Sequence, residues 1–412
     1  MAKTVAGLGR DPAISACGES PGAYTAKSLD RIRALLDRTI AHAADLSALV
    51  RGGTVLVKPN LVRPDPNNPH AIITDERALV ALIGLLRDAG AKRVRVGDNP
   101  GYGLSLQDAL GNMDAFTAAV RRAGAEIVHF DLEEKIEIPI PDAFVFERMR
   151  APKAVMEADV YINLPKMKTH MHTLVTLGIK NQYGLVLDDQ RMFCHRNDIS
   201  PKIVDILRVI RPHLTVVDAL AAVQGQAPLS GSLIPDMNVI AAGTDVAAVD
   251  ALCCALMGIG PMEVDMLRLA RQEGLGVTDL ADIEVRGDRI EDCARRFTRP
   301  VVSPMGAYPE VRCLEGGACR GCLSALRHSL DKLAAEGLLT GREPISVYLG
   351  KPMPESPLPR NERGERWRFG ACAADLVFDH GAPRPQALFI PGCPPHILEF
   401  HKAYKKRYCE KA

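Results

Sequence analysis

The sequence predicts an α/β protein with a largely parallel sheet and helices on both faces, followed by a smaller α/β module that contains cysteines. Strand-like and helix-like runs alternate over roughly the first 290 residues, which is typical of a parallel sheet. A chain of 412 residues is also too long for one small core. Periodicity weakens near residue 295, and closely spaced cysteines follow. We therefore expect an α/β domain over 1–295 and a cysteine-ligated module over 296–412.

Each expected element follows from its residues. The run at 54–60 is short and rich in valine, which favours a strand. Residues 75–91 have apolar side chains at helical spacing and reach a glycine, which predicts a helix and its end. The same alternation of strand and helix continues at 92–101, 113–131, 151–166, 200–220 and 237–258.

The C-terminal part begins after a connection at 296–313 that has no clear period. A helix is expected to begin near Cys319, and strands are expected at 344–350 and 387–390. A final helix is expected at 394–408. These elements predict a second, smaller α/β layer around the cysteines.

Composition excludes some classes of partner. The chain is 47% hydrophobic and 25% charged, with a formal net charge of +1. Such a balance provides no general attraction for nucleic acid or an anionic membrane. We find no secretory h-region at the N-terminus and no apolar stretch of about 18 residues, so we expect a cytoplasmic protein without a membrane span. Eleven cysteines in such a protein favour metal or redox chemistry.

Polar residues follow four of the expected strands, at the positions where ligands bind in open α/β sheets. These residues are Lys58, Asn60, Asp98, Asn99, Asn163 and Asp218. Any one of them could simply form a turn, because Asp and Asn are common turn residues. If the strands are parallel, however, all of them lie at one edge of the sheet, and together they predict a site.

The segment 162–184 has no acidic residue and is unusually basic. If it is extended, alternation places four basic side chains on one face: Lys166, Lys168, His170 and His172. We expect residues 173–184 to form a short helix, which carries Lys180 and Asn181. A solvated basic face, a His-x-His metal site and an anion pocket all remain open. Interspersed apolar residues disfavour the first, and lysines would repel a metal cation, so an anion pocket is favoured.

Three cysteines lie close together at C-x5-C-x2-C spacing, and a fourth lies far downstream. They are Cys313, Cys319, Cys322 and Cys393. Three clustered cysteines and one distant cysteine are typical of a 4Fe-4S cluster. Structural zinc is the alternative, although zinc sites more often use two C-x2-C pairs; unligated or redox thiols are the third hypothesis. Cys372 could replace Cys393 as the fourth ligand.

The segments VLVKPNLV, TDERALVALIGLLRDAGAKRVRVGDNPG, DVYINLPKMKTHMHTLVTLGIKNQYGLV and LTVVDAL resemble the family called domain of unknown function 362. The resemblance covers about residues 50–260. It implies an iron–sulfur association, because many members carry ferredoxin-like cysteine runs; this chain lacks paired runs of that kind. A more distant, fold-level likeness is to nickel-dependent lactate racemase, which uses paired histidines and lysines on a 2-hydroxy acid.

The leading hypothesis is an iron–sulfur enzyme, an oxidoreductase or a lyase, that acts on a small anionic metabolite. The candidate catalytic residues are His170, His172, Lys168 and Asp98. The candidate substrate-binding residues are Lys58, Asn60, Asn99, Asn163, Lys166, Lys180, Asn181 and Asp218. Two alternatives remain: a redox-neutral racemase, epimerase or lyase with a structural metal, and a non-enzymatic iron–sulfur carrier or maturation partner that works with a redox partner protein.

Overall fold

The computed structural model covers the chain except for several short segments. It describes residues 3–14, 24–61, 73–100, 105–111, 113–187, 199–227, 230–339, 344–351, 364–374 and 388–409. Contacts divide the chain into two compact units, one formed by Met1–Arg191 with Ser200–Pro300 and one by Met192–Ile199 with Val301–Ala412. Within the described ranges, no helix is long and apolar enough to cross a bilayer.

The strands of the first unit are β1 (Thr4–Arg10), β2 (Thr54–Pro59), β3 (Arg93–Asp98), β4 (Ala125–His129), β5 (Lys135–Pro139), β6 (Arg148–Pro152), β7 (Val160–Leu164), β8 (Lys166–His170), β9 (Leu174–Thr176), β10 (Leu214–Gln226), β11 (Ser230–Ile234), β12 (Val239–Gly243) and β13 (Ile283–Gly287). The strands of the second unit are β14 (Val311–Gly316), β15 (Ile345–Gly350), β16 (Arg366–Phe369) and β17 (Leu388–Ile390).

The α-helices are α1 (Ala26–Ala43), α2 (Leu46–Val50), α3 (Glu76–Asp88), α4 (Leu106–Leu110), α5 (Asp114–Arg122), α6 (Lys153–Met156), α7 (Gly178–Asn181), α8 (Ile199–Val209), α9 (Val246–Leu256), α10 (Asp265–Gln272), α11 (Ile290–Cys293), α12 (Arg320–Ala335) and α13 (Glu399–Tyr408). Short 3-10 helices lie at Gln182–Leu185, Pro261–Glu263, Leu280–Asp282 and Ala371–Ala373.

The large sheet confirms the predicted α/β class. Its strands run in the order β13-β1-β12-β10-β7-β2-β3-β4. Neighbours from β10 to β4 are all parallel, whereas β12 is antiparallel to both β1 and β10. The polar ends of β7, β2 and β3 therefore lie side by side at one edge. Asp218 lies inside the longer strand β10, which continues to Gln226, and it reaches the same edge because β7 stops at Leu164.

Burial explains why these segments are strands and helices. All five residues of β7 and all five of β12 are buried, as expected for strands covered on both faces. Helix α3 begins where the Asp75 side chain accepts a hydrogen bond from the amide of Arg77, and it buries an apolar stripe that includes Leu82 and Leu86. Helices α1 and α3 pack on each other and share a hydrophobic core with β2, β3 and β7.

The second unit has its own four-stranded sheet and its own core. The strand order is β14-β15-β16-β17, and every neighbouring pair is parallel. Trp367 is completely buried and packs against Phe400 of α13, with ring centroids 4.9 Å apart. This sheet confirms the expected small C-terminal α/β layer.

One predicted element is wrong. Residues 174–176 form strand β9, antiparallel to β8, and only residues 178–181 are α-helical in the stretch that we expected to be one helix from 173. Leu174 adopts a φ of 66° and reverses the chain into this hairpin. Pairing between Thr169 and Val175 then provides the backbone hydrogen bonds that a helix would otherwise make.

Candidate functional site

The expected residues at the strand ends are brought together. Lys58 near the end of β2 is the register partner of Asn163 on β7, and Asn163 is in turn paired with Thr215 of β10. Asp218 lies opposite Lys166. We call Lys58, Lys166, Lys168, Asp98 and Asp218 the lysine cluster. All five are at most 1% exposed.

A buried ion pair joins the ends of β2 and β3. The Lys58 Nζ lies 2.6 Å from Asp98 Oδ1. The same carboxylate accepts hydrogen bonds from the backbone amides of Leu61 and Asn99, at 2.7 and 2.8 Å. Because a buried polar group without such partners is costly, these contacts explain how the Asp98 side chain is accommodated in the interior.

A second buried pair links β8 to β10. The Lys166 Nζ lies 3.0 Å from Asp218 Oδ2, and that oxygen also accepts from the Asp75 amide at 2.7 Å. The other carboxylate oxygen accepts from the Leu220 amide at 3.0 Å. This pair matches the first, so two lysines of the lysine cluster each have a carboxylate counterion.

The third lysine is held by an amide. The Lys168 Nζ donates to Asn60 Oδ1 at 2.9 Å. Burial lowers the pKa of Lys168 to about 7, and the positive charges of Lys180 and Lys166 contribute to the same shift. Near neutral pH this amine therefore exists both as ammonium and as neutral amine, so it can give or take a proton.

A chain of three asparagines fixes the position of that amide. Asn60 Nδ2 donates to Asn181 Oδ1 at 2.9 Å, and Asn181 Nδ2 donates to Asn163 Oδ1 at 2.8 Å. Asn163 in turn donates to the carbonyl of Gly178 at 2.8 Å. All three amides are buried. The expected residues Asn60, Asn163 and Asn181 therefore orient Lys168.

Asp250 was not predicted from the sequence, although it positions this network. Its two carboxylate oxygens accept from the amides of Gly178 and Ile179 at 2.7 and 2.8 Å. These amides lie at the beginning of α7, the short helix that carries Lys180 and Asn181. Burial raises the pKa of Asp250 to about 7, even though the two amide hydrogen bonds lower it.

The two histidines are placed differently. His170 is 7% exposed, and its Nδ1 accepts from the amides of His172 and Thr173 at 3.1 and 3.4 Å. An accepting Nδ1 places the proton of the neutral ring on Nε2. His172 lies in the turn after β8 and is half-buried, with its ring centroid 5.7 Å from that of His170. His172 therefore does not continue the extended face that we expected.

The remaining predicted residues lie around the lysine cluster. Lys180 is half-buried, and its Nζ lies 5.0 Å from the centre of the Tyr183 ring. Asn99 is buried and directs its amide nitrogen at the Val186 carbonyl, 3.5 Å away. Sequence reasoning also missed Gly184, at which a β-carbon would collide with both Asp98 and Lys58.

The charges of the lysine cluster determine what it can attract. Three buried ammonium groups face two buried carboxylates, so the cluster carries one excess positive charge when Lys168 is protonated. A small anion would compensate that charge, and it would also stabilise the ammonium form of Lys168. The arrangement can thus couple anion binding to movement of a proton.

The predicted cysteines lie in the second unit at different depths. Cys313 is on β14 within the hydrophobic core, where burial raises its pKa to about 12. Cys319 precedes α12 and is exposed, Cys322 lies in the first turn of α12 and is buried, and Cys393 follows β17. Cys372 lies in the 3-10 helix after β16 and is exposed.

Four of these thiols are neighbours. The pKa of Cys322 is raised by its hydrogen bond to Cys319, by burial and by the adjacent thiols of Cys393 and Cys372. Four thiols are the donor set of an iron–sulfur cluster, whose ligands are spread over several irons, so the residues present match such a group in number and chemical type. Within the part of the chain that the structure describes, no three Cys, His, Asp or Glu side chains stand at the spacing of a single metal ion's ligands.

Comparison with known proteins finds a family model that matches part of the first unit. Residues 55–255 match the model of the family described as Domain of unknown function (DUF362). The resemblance expected from the motifs is confirmed over these residues. A curated relative, the thylakoid-associated protein sll1697 of Synechocystis sp., is 28% identical over 323 residues, which cover 73% of this chain and 88% of that protein.

Two solved structures show a distant, fold-level likeness. The lactate racemase apoprotein from Thermoanaerobacterium thermosaccharolyticum is 14% identical, with a TM-score of 0.39 over 56% of this chain and 55% of that one. The chain thus spans about half the length of the racemase. A Thermotoga maritima protein solved by a structural genomics consortium is 10% identical, with a TM-score of 0.35 over 82% of this chain and 74% of that one.

Proposed function

We propose that this chain, whose residues 55–255 form a domain of unknown function 362, is an iron–sulfur enzyme that binds a small anionic metabolite and transfers a proton at the lysine cluster. The observation that carries the proposal is the placement of Lys168. Its amine is buried, is held by Asn60, and lies in a cluster in which carboxylates fix the other two lysines.

The contacts of each residue in the lysine cluster indicate its role in the proposed reaction. Lys58 and Lys166 supply fixed positive charge, because Asp98 and Asp218 hold their ammonium groups in place. Lys168 supplies the charge that varies with pH and is the proton-transfer group. The asparagine chain sets its direction, and Asp250 holds that chain by capping α7.

His170 is the second candidate for proton transfer. Its Nδ1 accepts from two backbone amides, so the neutral ring carries its proton on Nε2, which is the proton that the proposal assigns to transfer. The thiols of the second unit would hold an iron–sulfur cluster, which supplies electrons when every iron carries a thiolate and Lewis acidity only where one iron is left without one. A protein that transfers electrons in this way works with a redox partner, which is part of the proposal.

Anion binding tests the proposal directly. Titrate the full chain with inorganic phosphate and with two- to four-carbon mono- and dicarboxylates, using calorimetry at pH 6 and pH 8. Affinity should be higher at pH 6, because Lys168, with a pKa near 7, is then mostly ammonium. In Lys168→Met the affinity should fall at least tenfold, about 1.4 kcal/mol, and most of the pH dependence should disappear.

Lys92→Met is the matched control, because Lys92 is an exposed lysine of the same unit. It should bind like the wild type. Equal affinity in the Lys168→Met variant and the wild type would contradict the proposal, and so would binding that strengthens from pH 6 to pH 8.

A redox-neutral racemase, epimerase or lyase is the second candidate, because acid–base chemistry at Lys168 and His170 needs no electron transfer. To separate the two, incubate the bound carboxylate with the protein in D2O and follow deuterium uptake at carbon. Uptake that continues after iron is removed, and stops in Lys168→Met, favours the redox-neutral candidate. Uptake that requires iron favours the iron–sulfur enzyme.

A further inference from the structure

The sheet of the second unit directs three loops to one edge. Strands β14, β16 and β17 are parallel members of one sheet, and a cysteine-containing loop follows each of them. The loop after β14 leads to Cys319 and Cys322, the loop after β16 leads to Cys372, and the loop after β17 leads to Cys393. Because the carboxyl ends of parallel strands meet at the same side of a sheet, these four cysteines share an edge.

The register of the strands gives the position of each cysteine along the sheet. Phe369 and Ile390 are paired across β16 and β17, and Cys372 and Cys393 each lie three residues beyond that pair. Cys313 lies instead in the row of Val347 and Trp367, two residues before the row of Phe369. At about 3.3 Å per residue, Cys313 is therefore roughly 7 Å back along the sheet from its last row.

Contacts between the loops support the same grouping. A β-carbon at Gly370 would lie 2.9 Å from the Cys322 sulfur, and one at Gly321 would lie 3.0 Å from the Pro394 ring. The amide of Ala371 donates to the carbonyl of Gly392 at 2.7 Å. Glycines at these positions let the three loops approach closely, as the backbone around a buried cofactor requires.

Position on the sheet, not burial alone, separates the remaining cysteine from this group, because Cys322 is as buried as Cys313 and belongs to the same core. Cys313 alternates with the exposed Arg312 and faces the hydrophobic core, in the same cluster as Val347 and Trp367. Cys319 and Cys372 are exposed, and Cys393 is partly exposed. A reactive, metal-binding thiol is typically accessible or near a helix N-terminus, whereas a buried apolar environment keeps a thiol inert. Cys319 and Cys322 lie at a helix N-terminus, because α12 begins at Arg320.

We infer that Cys319, Cys322, Cys372 and Cys393 hold a four-iron cluster at the carboxyl edge of this sheet, and that Cys313 is a core residue and not a ligand. The inference rests on the proposed iron–sulfur cofactor and replaces one of the ligands that sequence spacing favoured. The cofactor class is an iron–sulfide cluster, with each thiolate bound to one iron.

Ligand substitution distinguishes the two sets. Purify the full chain anaerobically, reconstitute it with ferrous iron and sulfide under thiol reductant, and measure iron, acid-labile sulfide, zinc, visible absorption and the EPR spectrum after dithionite. The wild type and Cys313→Ala should each hold about four iron and four sulfide per chain. Cys372→Ser should lose at least half of its iron and the four-iron EPR signal. Cys409→Ser, an exposed cysteine on another element, is the matched control and should match the wild type.

Alkylation provides a readout that needs no variant. Iodoacetamide followed by peptide mass spectrometry should modify Cys319 and Cys372 in the iron-free protein and spare them in the loaded protein. Cys409 should react in both states, and Cys313 in neither while the protein is folded. This pattern still tests the inference if a substituted chain fails to fold.

The outcomes separate this inference from the proposed function. A wild type with no iron, or with stoichiometric zinc alone, overturns the cofactor and the ligand assignment with it. Iron that is retained in Cys372→Ser and lost in Cys313→Ala overturns the ligand assignment only. Anion binding at the lysine cluster is measured separately and is unaffected by either result.

Discussion

The large sheet and the small sheet both place their chemistry beyond the carboxyl ends of parallel strands, but they stabilise it differently. In the large sheet, Lys58 and Lys166 contact carboxylates, and buried asparagines hold Lys168. In the small sheet, the candidate side chains beyond the strand ends are all thiols, so they cannot pair with one another as opposite charges do. As thiolates these would repel one another unless a cationic centre lies between them. The first site is thus organised by the protein's own charges, whereas the proposed ligation of the second would require a cofactor.

The largest effect is expected from breaking a buried ion pair in the large sheet. Asp98→Asn leaves the Lys58 ammonium buried without its counterion, which should cost about 3–5 kcal/mol in the free energy of unfolding. Urea titration measures this. Glu126→Gln is the matched control, because it breaks an exposed pair with Arg93 on the same strand as Asp98 and should cost less than about 1 kcal/mol. Equal costs would mean that burial does not distinguish the two pairs.

The next largest effect is an increase in the free energy of unfolding. Lys168→Met should stabilise the protein at pH 7 by on the order of 3 kcal/mol, because it removes an amine whose protonation burial opposes. The lost hydrogen bond to Asn60 offsets about 1 kcal/mol of the gain.

This gain should depend on pH. Between the folded pKa of about 7 and the unfolded pKa of about 10.4, the unfolded chain binds more protons, so wild-type stability rises with pH. The advantage of Lys168→Met should therefore shrink to near zero at pH 10. Urea titrations at the two pH values test this, and an advantage that is the same at both would contradict a lowered pKa for Lys168.

A smaller effect is expected at Gly184. Gly184→Ala places a methyl group against Asp98 and Lys58, so the pair must shift, at a cost of about 1–3 kcal/mol by thermal or urea unfolding. Gly111→Ala is the comparison, because that glycine has a helical φ of −58° and its β-carbon contacts begin at 3.4 Å. It should be neutral or slightly stabilising. A neutral Gly184→Ala would show that the ion pair is not held tightly.

The smallest effect is expected in the small sheet. Cys313→Ala removes one buried sulfur from the core and should cost about 1 kcal/mol in the iron-free protein. Cys372→Ser changes an exposed side chain and should stay within about 0.5 kcal/mol. Calorimetric melting of both iron-free variants tests this, and a reversed order would contradict the distinction between core and edge cysteines.

The sequence predicted much of the large sheet, because its strands are apolar and end in polar residues. Lys58, Asp98 and Asn163 were identified in this way, and they do lie at one edge. Asp218 was expected to follow its strand, but β10 continues to Gln226, and Asp218 lies beside Lys166 within it. The partner of each lysine could not be assigned, because pairing depends on the order of strands in the sheet. Strands β7 and β10 are neighbours there, although a long connection separates them along the chain.

Other features left little signal in the sequence. Residues 174–176 are too few for a helical period to be distinguished from a strand period. They form a strand because they pair with β8 in a hairpin. Asp250 lies in an apolar helix about 70 residues from the amides that it caps, so nothing local indicated its role. Gly184 became informative only when the atoms facing it were known.

The three-residue steps from Phe369 to Cys372 and from Ile390 to Cys393 have a consequence for how such a site can be recognised. A single insertion within either step would displace one thiol relative to the paired rows of the sheet. A search for evolutionary relatives should therefore count from the last paired residue of each strand, not from one cysteine to the next. Counted in this way, the signature is short and rigid, although in the linear sequence it is scattered over more than seventy positions.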